Sequence, residues 1–186
     1  MVVWGGMPGP TSLDDERVTA AVDSVETVEA AAKGGVRECM IDVSVGLPRC
    51  GCDPADAGKL ADLARSLGME VRGVMAYEGH LMRETEGKGE KVASAGEVLA
   101  RALADTGGDI VSGGGTGTWT TNEWATELQA GSYALMDTEY VAHAPEFGIA
   151  LSLWCTVISA NDAWGVADGG LKSLGMDHGD PTVVDV

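Results

Sequence analysis

The segment Val111-Ser112-Gly113-Gly114-Gly115-Thr116-Gly117-Thr118 carries the sharpest chemical signal in the chain. An apolar run feeds three glycines and then two hydroxyl residues. Glycines let successive backbone N–H groups turn toward an anion, and threonine hydroxyls add donors. At the C-terminal end of a strand this reads as a phosphate site formed by Gly113, Gly114, Gly115 and Thr116; the alternative is a plain flexible loop. It is not a Walker loop, because no Gly-Lys-Ser/Thr follows, and it lacks the dinucleotide glycine spacing. Glu127-Leu128-Gln129-Ala130-Gly131-Ser132-Tyr133 reads as the following strand, reaching the same anion from the neighbouring side. Gly131 and Ser132 offer amides there and Tyr133 a hydroxyl; a strand with a bulge at Gly131 is the plainer reading.

Two further segments end strands. Arg49, in Gly46-Leu47-Pro48-Arg49-Cys50-Gly51, places a guanidinium where it can donate to a ring nitrogen or a carboxylate, or form a surface ion pair. Tyr77-Glu78-Gly79-His80 brings two proton-transfer groups, Tyr77 and His80, with Glu78 placed to orient them. A capped loop with a hydrogen-bonded histidine would look the same. His143 and His178 lack such context and read as surface residues. Cys50-Gly51-Cys52 has no second pair at zinc-like spacing, so no metal ligands are assigned.

The elements that must position these groups follow from apolar periodicity. Residues 17–22, 36–45, 71–77, 109–112 and 128–136 read as strands. Ser24 reads as a helix N-cap, Asp53-Pro54 opens a helix through Leu60, Leu63, Ala64 and Leu67 that stops at Gly68, and a third helix lies near 93–104. Strand–helix–strand repeats imply a mostly parallel α/β sheet or barrel. After Asp137 the helices cease, and 149–158 and 165–167 read as strands of a second, β-rich segment. Five parallel strands leave open edges, which predicts self-association.

Composition narrows the partners. A net charge of −17 argues against sequence-independent nucleic-acid binding and against an anionic membrane surface. No apolar run approaches the roughly 20 residues of a membrane helix, and MVVWGGMPGP does not read as a signal peptide. Four cysteines without a secretory context suggest free thiols and a cytoplasmic setting.

Together these segments resemble the D-threonine aldolase and D-serine dehydratase family of the alanine racemase fold group. The resemblance runs from about Trp4 to Pro181. It rests on Val22-Asp23-Ser24, on Asp42-Val43 through Arg49-Cys50-Gly51, on Tyr77 to His80, on Ser112 to Thr118, on Glu127 to Tyr133, and on Asp168-Gly169-Gly170-Leu171-Lys172. It implies an α/β fold: residues 1–137 as roughly strands four to eight of a (β/α)8 TIM-type barrel, and 138–186 as the start of a C-terminal β domain. It implies pyridoxal 5'-phosphate, with Gly113, Gly114, Gly115, Thr116, Gly131, Ser132 and Tyr133 on the phosphate, Arg49 on the pyridine nitrogen and Tyr77 near cofactor or substrate. His80 falls where family members differ.

The implied activity is that of a lyase on D-3-hydroxy amino acids, by retro-aldol cleavage or elimination, with a divalent metal near the β-hydroxyl and a homodimeric assembly. The family's Schiff-base lysine is expected before these residues and its metal ligands after them. None of Lys33, Lys59, Lys88, Lys91 and Lys172 matches that lysine, so a fragment inactive by itself is expected. A non-catalytic cofactor- or phosphate-binding module and an unrelated open α/β protein are the rivals.

Overall fold

The computed structural model describes residues 2–4, 18–175 and 179–184. His178, and Arg17 of the first expected strand, lie outside them. The chain forms two compact units, Met1–Gly131 and Ser132–Val186.

The first unit is a parallel sheet of six strands in chain order: β1 (Val2–Trp4), β2 (Thr19–Val22), β3 (Glu38–Asp42), β4 (Glu70–Met75), β5 (Ile110–Gly113) and β6 (Glu127–Leu128). Helix α1 (Val25–Lys33) links β2 to β3, α2 (Ala57–Ser66) links β3 to β4, and α3 (Lys88–Thr106) links β4 to β5. The parallel α/β expectation therefore holds, and among the described residues the sheet is open, with β1 and β6 at its edges. No helix among these residues is long and apolar enough to cross a membrane.

Local chemistry sets the helix ends. Ser24 caps α1 and, with Thr27, forms a reciprocal capping box. Asp53 accepts from the Ala55 amide and starts a short 3-10 turn (Pro54–Asp56) that leads into α2. Gly68, at φ +87°, lets the chain leave α2. Helix α3 begins earlier than its apolar pattern suggested, because its first turn is polar and exposed.

The core lies between the sheet and the helices. Val22, Cys39, Ile41, Val71 and Val74 on the strands, with Val43 just past β3, meet Val28, Leu60, Ala61, Ala64, Leu99 and Ala102 on the helices. Each fully buried Val, Leu or Ile contributes roughly 1.5–3 kcal/mol. Leu67, expected on the same face of α2, is instead 45% exposed, since the helix ends before it.

Two strand expectations need correction. Residues 128–136 do not form a strand: only Glu127–Leu128 pairs with β5, and Ser132–Ala134 is a 3-10 turn. The ladder stops once the Gln129 amide has donated to the Gly113 carbonyl. Residues 149–158 shorten to β7 (Val157–Ala160), which pairs antiparallel with β8 (Gly165–Ala167) in the second unit. The Asn161 side chain accepts from the amides of Ala163 and Trp164 and so builds the turn of that hairpin. Strand β1 was not anticipated.

Gly73 shows how tightly the central strands approach. It sits beside a bulge opposite Cys39 and Met40, at φ +148°, and a Cβ there would lie 2.0 Å from the Ile110 carbonyl oxygen. Gly68 also has positive φ but open space around it. Gly73→Ala should therefore cost roughly 3 kcal/mol or more of unfolding free energy, and Gly68→Ala only about 1 kcal/mol, from the left-handed conformation. Urea denaturation of the two variants checks the ranking; equal losses would refute it.

Candidate functional site

The site lies where β3, β4 and β5 end. Beyond β3 the Val43 amide donates to the Met75 carbonyl, the Ser44 amide to the Cys52 carbonyl and the Cys52 amide to the Asp42 carbonyl, and Val43 pairs with Cys52. Residues 44–51 thus form a loop closed at its own base, with Arg49 exposed on it. Gly51 closes that base. At φ +99° its Cβ would meet the Ser44 nitrogen at 2.6 Å, and its N–H donates to Asp23 Oδ2 at 3.2 Å.

Asp42 is buried under this loop and accepts from the Cys50 thiol at 3.1 Å. Burial pushes the Asp42 carboxyl up, opposed by the Cys50 hydrogen bond and reinforced by Asp23. Burial also raises the Cys50 thiol to about 11 and the Cys52 thiol to about 12. Both stay protonated near neutrality, and neither is an activated nucleophile. Among the described residues no group of three or more His, Cys, Asp or Glu could hold a metal ion.

Tyr77 follows β4. The Arg49 guanidinium carbon stands 5.1 Å from its ring centroid, a cation–π contact. Burial raises the phenol, Arg49 opposes that shift and Glu78 adds to it. Tyr77 is therefore a neutral hydrogen-bond donor at neutral pH. Its ring runs between two glycines: a Cβ on Gly79 would lie 2.4 Å from Cε1, and one on Gly115 would lie 3.3 Å from Cε2. His80 is exposed, with its imidazole against Gly46; a Cβ on Gly46 would lie 3.4 Å from Nε2.

The glycine loop is buried throughout 113–118. Its glycines make room for neighbouring side chains: Cβ atoms would meet the Trp124 ring at Gly113, Leu128 and Asn122 at Gly114, and Met82 at Gly115. The Gly114 amide donates to Glu78 Oε2 at 3.1 Å, and the Gly115 amide to the Thr118 hydroxyl at 3.1 Å. Lys88 holds the far end, its Nζ donating to the carbonyls of Gly117 at 2.8 Å and Met82 at 3.1 Å. Burial lowers the Lys88 amine while Glu84 opposes the shift. At the head of the loop, Ser112 donates to Glu127 at 2.7 Å and accepts from Gln129 at 3.0 Å.

The fold thus brings Arg49, Tyr77, His80 and Gly113 to Thr116 to one end of one sheet. Gly131 closes the first unit, with open space at its Cβ position. Ser132 and Tyr133 belong to the second unit, where the Tyr133 ring packs on Phe147 at 5.4 Å. Sequence reasoning gave Glu78 the task of orienting Tyr77 and His80; its carboxylate instead faces the glycine loop. Lys88 and Asn122 were missed. Their partners are backbone carbonyls and a buried acid distant in sequence, which leave no local pattern. His143 is half-buried, edge-on to Tyr140 at 6.4 Å between ring centroids.

A phosphorylated pyridine is tested against these residues by donor chemistry. The exposed Arg49 guanidinium beside the Tyr77 ring offers a donor to the pyridine end of such a molecule. At the phosphate end the loop holds its Gly114 and Gly115 amides on Glu78 and Thr118, and its fit rests on the hydroxyl and glycine composition at the parallel strand ends.

Residues 1–139 match the family model for the alanine racemase N-terminal domain. The chain is 32% identical to a D-threonine aldolase of Arthrobacter sp., over 90% of this chain and 50% of that protein. It is 31% identical to a 3-hydroxy-D-aspartate aldolase of Paracoccus denitrificans, over 89% of this chain and 50% of that protein. The chain thus spans about half the length of the curated relatives it matches. Its fold is similar to an alanine racemase-like protein of Idiomarina loihiensis (TM-score 0.65, 24% identity, 84% of this chain and 47% of that one). It is also similar to the D-threo-3-hydroxyaspartate dehydratase of Delftia sp. HT23 (TM-score 0.66, 23% identity, 87% and 48%).

The Asp42 shift gives a pH signature. Its folded value lies above the unfolded one, so its contribution to stability is fully present below the unfolded value and is lost as pH rises through the folded value. Asp42→Asn removes that dependence. The stability difference between variant and wild type should therefore move in the variant's favour from pH 4 to pH 7. Urea titrations at both pH values measure it, and a difference moving the other way would contradict the assignment.

Proposed function

Because the chain belongs to the alanine racemase N-terminal domain family, we propose that it is the cofactor-holding part of a pyridoxal 5'-phosphate-dependent lyase acting on D-3-hydroxy amino acids. In this reading β2 to β6 are strands four to eight of a (β/α)8 barrel, and residues 138–186 begin a C-terminal β domain. The relatives' names support the substrate class: threonine and 3-hydroxyaspartate both carry a hydroxyl at the β-carbon. The aldolase names favour retro-aldol cleavage over elimination.

The observation that carries the proposal is the Arg49 guanidinium over the Tyr77 ring, with Gly115 of the glycine loop packed on the same ring. Bound there, pyridoxal phosphate supplies an electron sink for the bond broken at the substrate's α-carbon. Arg49 would donate toward the ring nitrogen, and the 113–118 loop of the same unit would receive the phosphate. Tyr77 keeps its proton at Oη and orients an anionic oxygen by donating to it. His80, exposed at the rim, is a group of this chain suited to take a proton from the β-hydroxyl. A divalent metal and a homodimer belong to the same proposal.

A second reading, a non-catalytic cofactor-binding module, is favoured by the lysines of the first unit. Lys59 and Lys91 pair with Asp56 and Glu84, Lys88 is bound to two carbonyls, and Lys33 sits in the last turn of α1. The hydrogen bonds and ion pairs of Lys59, Lys88 and Lys91 are with these groups and not with Arg49 or Tyr77.

The test is an absorbance titration of the chain with pyridoxal phosphate. Wild type should give a saturable spectral change. Arg49→Ala should weaken it about tenfold or more, as expected for loss of a charge-assisted hydrogen bond. No saturable change in wild type would overturn the proposal. Borohydride reduction and peptide mapping should then give reversible binding without a specific adduct, because the Schiff-base lysine is expected before these residues; a stoichiometric adduct on one lysine of this chain would contradict that placement.

A further inference from the structure

Glu78 has no exposed surface, and the reading above gives it no role toward the cofactor. Its carboxylate accepts three hydrogen bonds: from the Gly114 amide at 3.1 Å, the Thr118 hydroxyl at 2.9 Å and the Asn122 side-chain amide at 3.3 Å. The donors come from the start of the glycine loop, its end, and the turn beyond it. Thr118 in turn accepts from the Gly115 amide, so the carboxylate organises a second loop amide through that hydroxyl.

We infer that Glu78 is the positioning residue of the phosphate subsite: one buried carboxylate ties both ends of the 113–118 loop to the strand end that carries Tyr77. The inference rests on reading 113–118 as the phosphate loop. Glu78 and Tyr77 are consecutive, and both engage that loop. Glu78 holds its amide and hydroxyl, while the Tyr77 ring lies against Gly115. This dipeptide therefore fixes the distance between the loop and the Arg49–Tyr77 pair, the two ends that a phosphorylated pyridine must span.

Coulomb's law sharpens the claim. A carboxylate near a phosphate repels it, so its net contribution to affinity must come from geometry. Replacing it by glutamine therefore separates the two effects by sign. Glutamine keeps one acceptor oxygen and turns an NH2 toward groups that are themselves donors. If Glu78 positions the loop, phosphate binding weakens. If its charge alone matters, binding tightens.

The experiment titrates the 186-residue chain with pyridoxal phosphate and, separately, with pyridoxal, for wild type and Glu78→Gln, followed by absorbance. Far-ultraviolet circular dichroism checks the fold. Glu78→Gln should lose about tenfold or more in affinity for pyridoxal phosphate, with pyridoxal affinity unchanged. Unchanged or tighter pyridoxal phosphate binding, or equal weakening of both ligands, would overturn the inference. Should the glutamine variant fail to fold, Thr118→Val replaces it. That change keeps the side chain's shape while deleting a donor to Glu78 and the acceptor of the Gly115 amide; the same selective loss is expected, and equal affinities would overturn it. A wild type that binds pyridoxal phosphate no more tightly than pyridoxal would sink the phosphate-loop reading and this inference with it. A wild type that prefers the phosphorylated ligand, with a variant whose preference is undiminished, sinks the inference alone.

Discussion

A carboxylate with no exposed surface survives in a fold only when donors surround it, because burying it unpaired costs many kcal/mol. Glu78 meets that demand with a backbone amide, a hydroxyl and a carboxamide, all drawn from 114–122. The demand works in both directions. The loop must curl back over the end of β4 to deliver those donors, and once there it is held. Lys88 applies a complementary constraint from the other side, donating to carbonyls of the same loop and of the turn at Met82. Acceptors and donors of the buried loop backbone are thereby bound to side chains of opposite character.

Space imposes the second constraint. Gly113, Gly114, Gly115 and Gly117 each sit where a Cβ would strike Trp124, Leu128, Met82 or the Met82 backbone. Their smallness lets the loop pack down onto Tyr77 and the sheet. A glycine-rich loop chosen for anion approach and one chosen for close packing have the same composition. Here packing explains the glycines, and the ligand reading rests on what surrounds them: Arg49 stacked on Tyr77, the parallel strand ends, and the family to which the chain belongs.

Most of the sheet was legible because its strands are short apolar runs bounded by punctuation that the structure uses. Ser24 caps a helix and Gly68 ends one, for the backbone reasons their residue types suggest. The run after Glu127 misled because apolar residues there resemble a strand, while ladder pairing stops after Leu128. Arg49, Tyr77 and the glycine loop were legible as strand-end residues, and the structure gathers them at one end of the sheet. The direction of Glu78 was not legible. Whether an acid beside Tyr77 faces the tyrosine or a loop 36 residues on depends on three-dimensional donors that no local spacing encodes.

We propose that one end of this sheet holds a phosphorylated pyridine between the glycine loop and the Arg49–Tyr77 pair. A crystal structure of the chain soaked with pyridoxal phosphate tests it most directly. Phosphate density is expected against 113–118 and ring density beside Arg49, with Glu78 still bonded to Gly114. Ligand density at any other place on the chain, with the loop untouched, would contradict it.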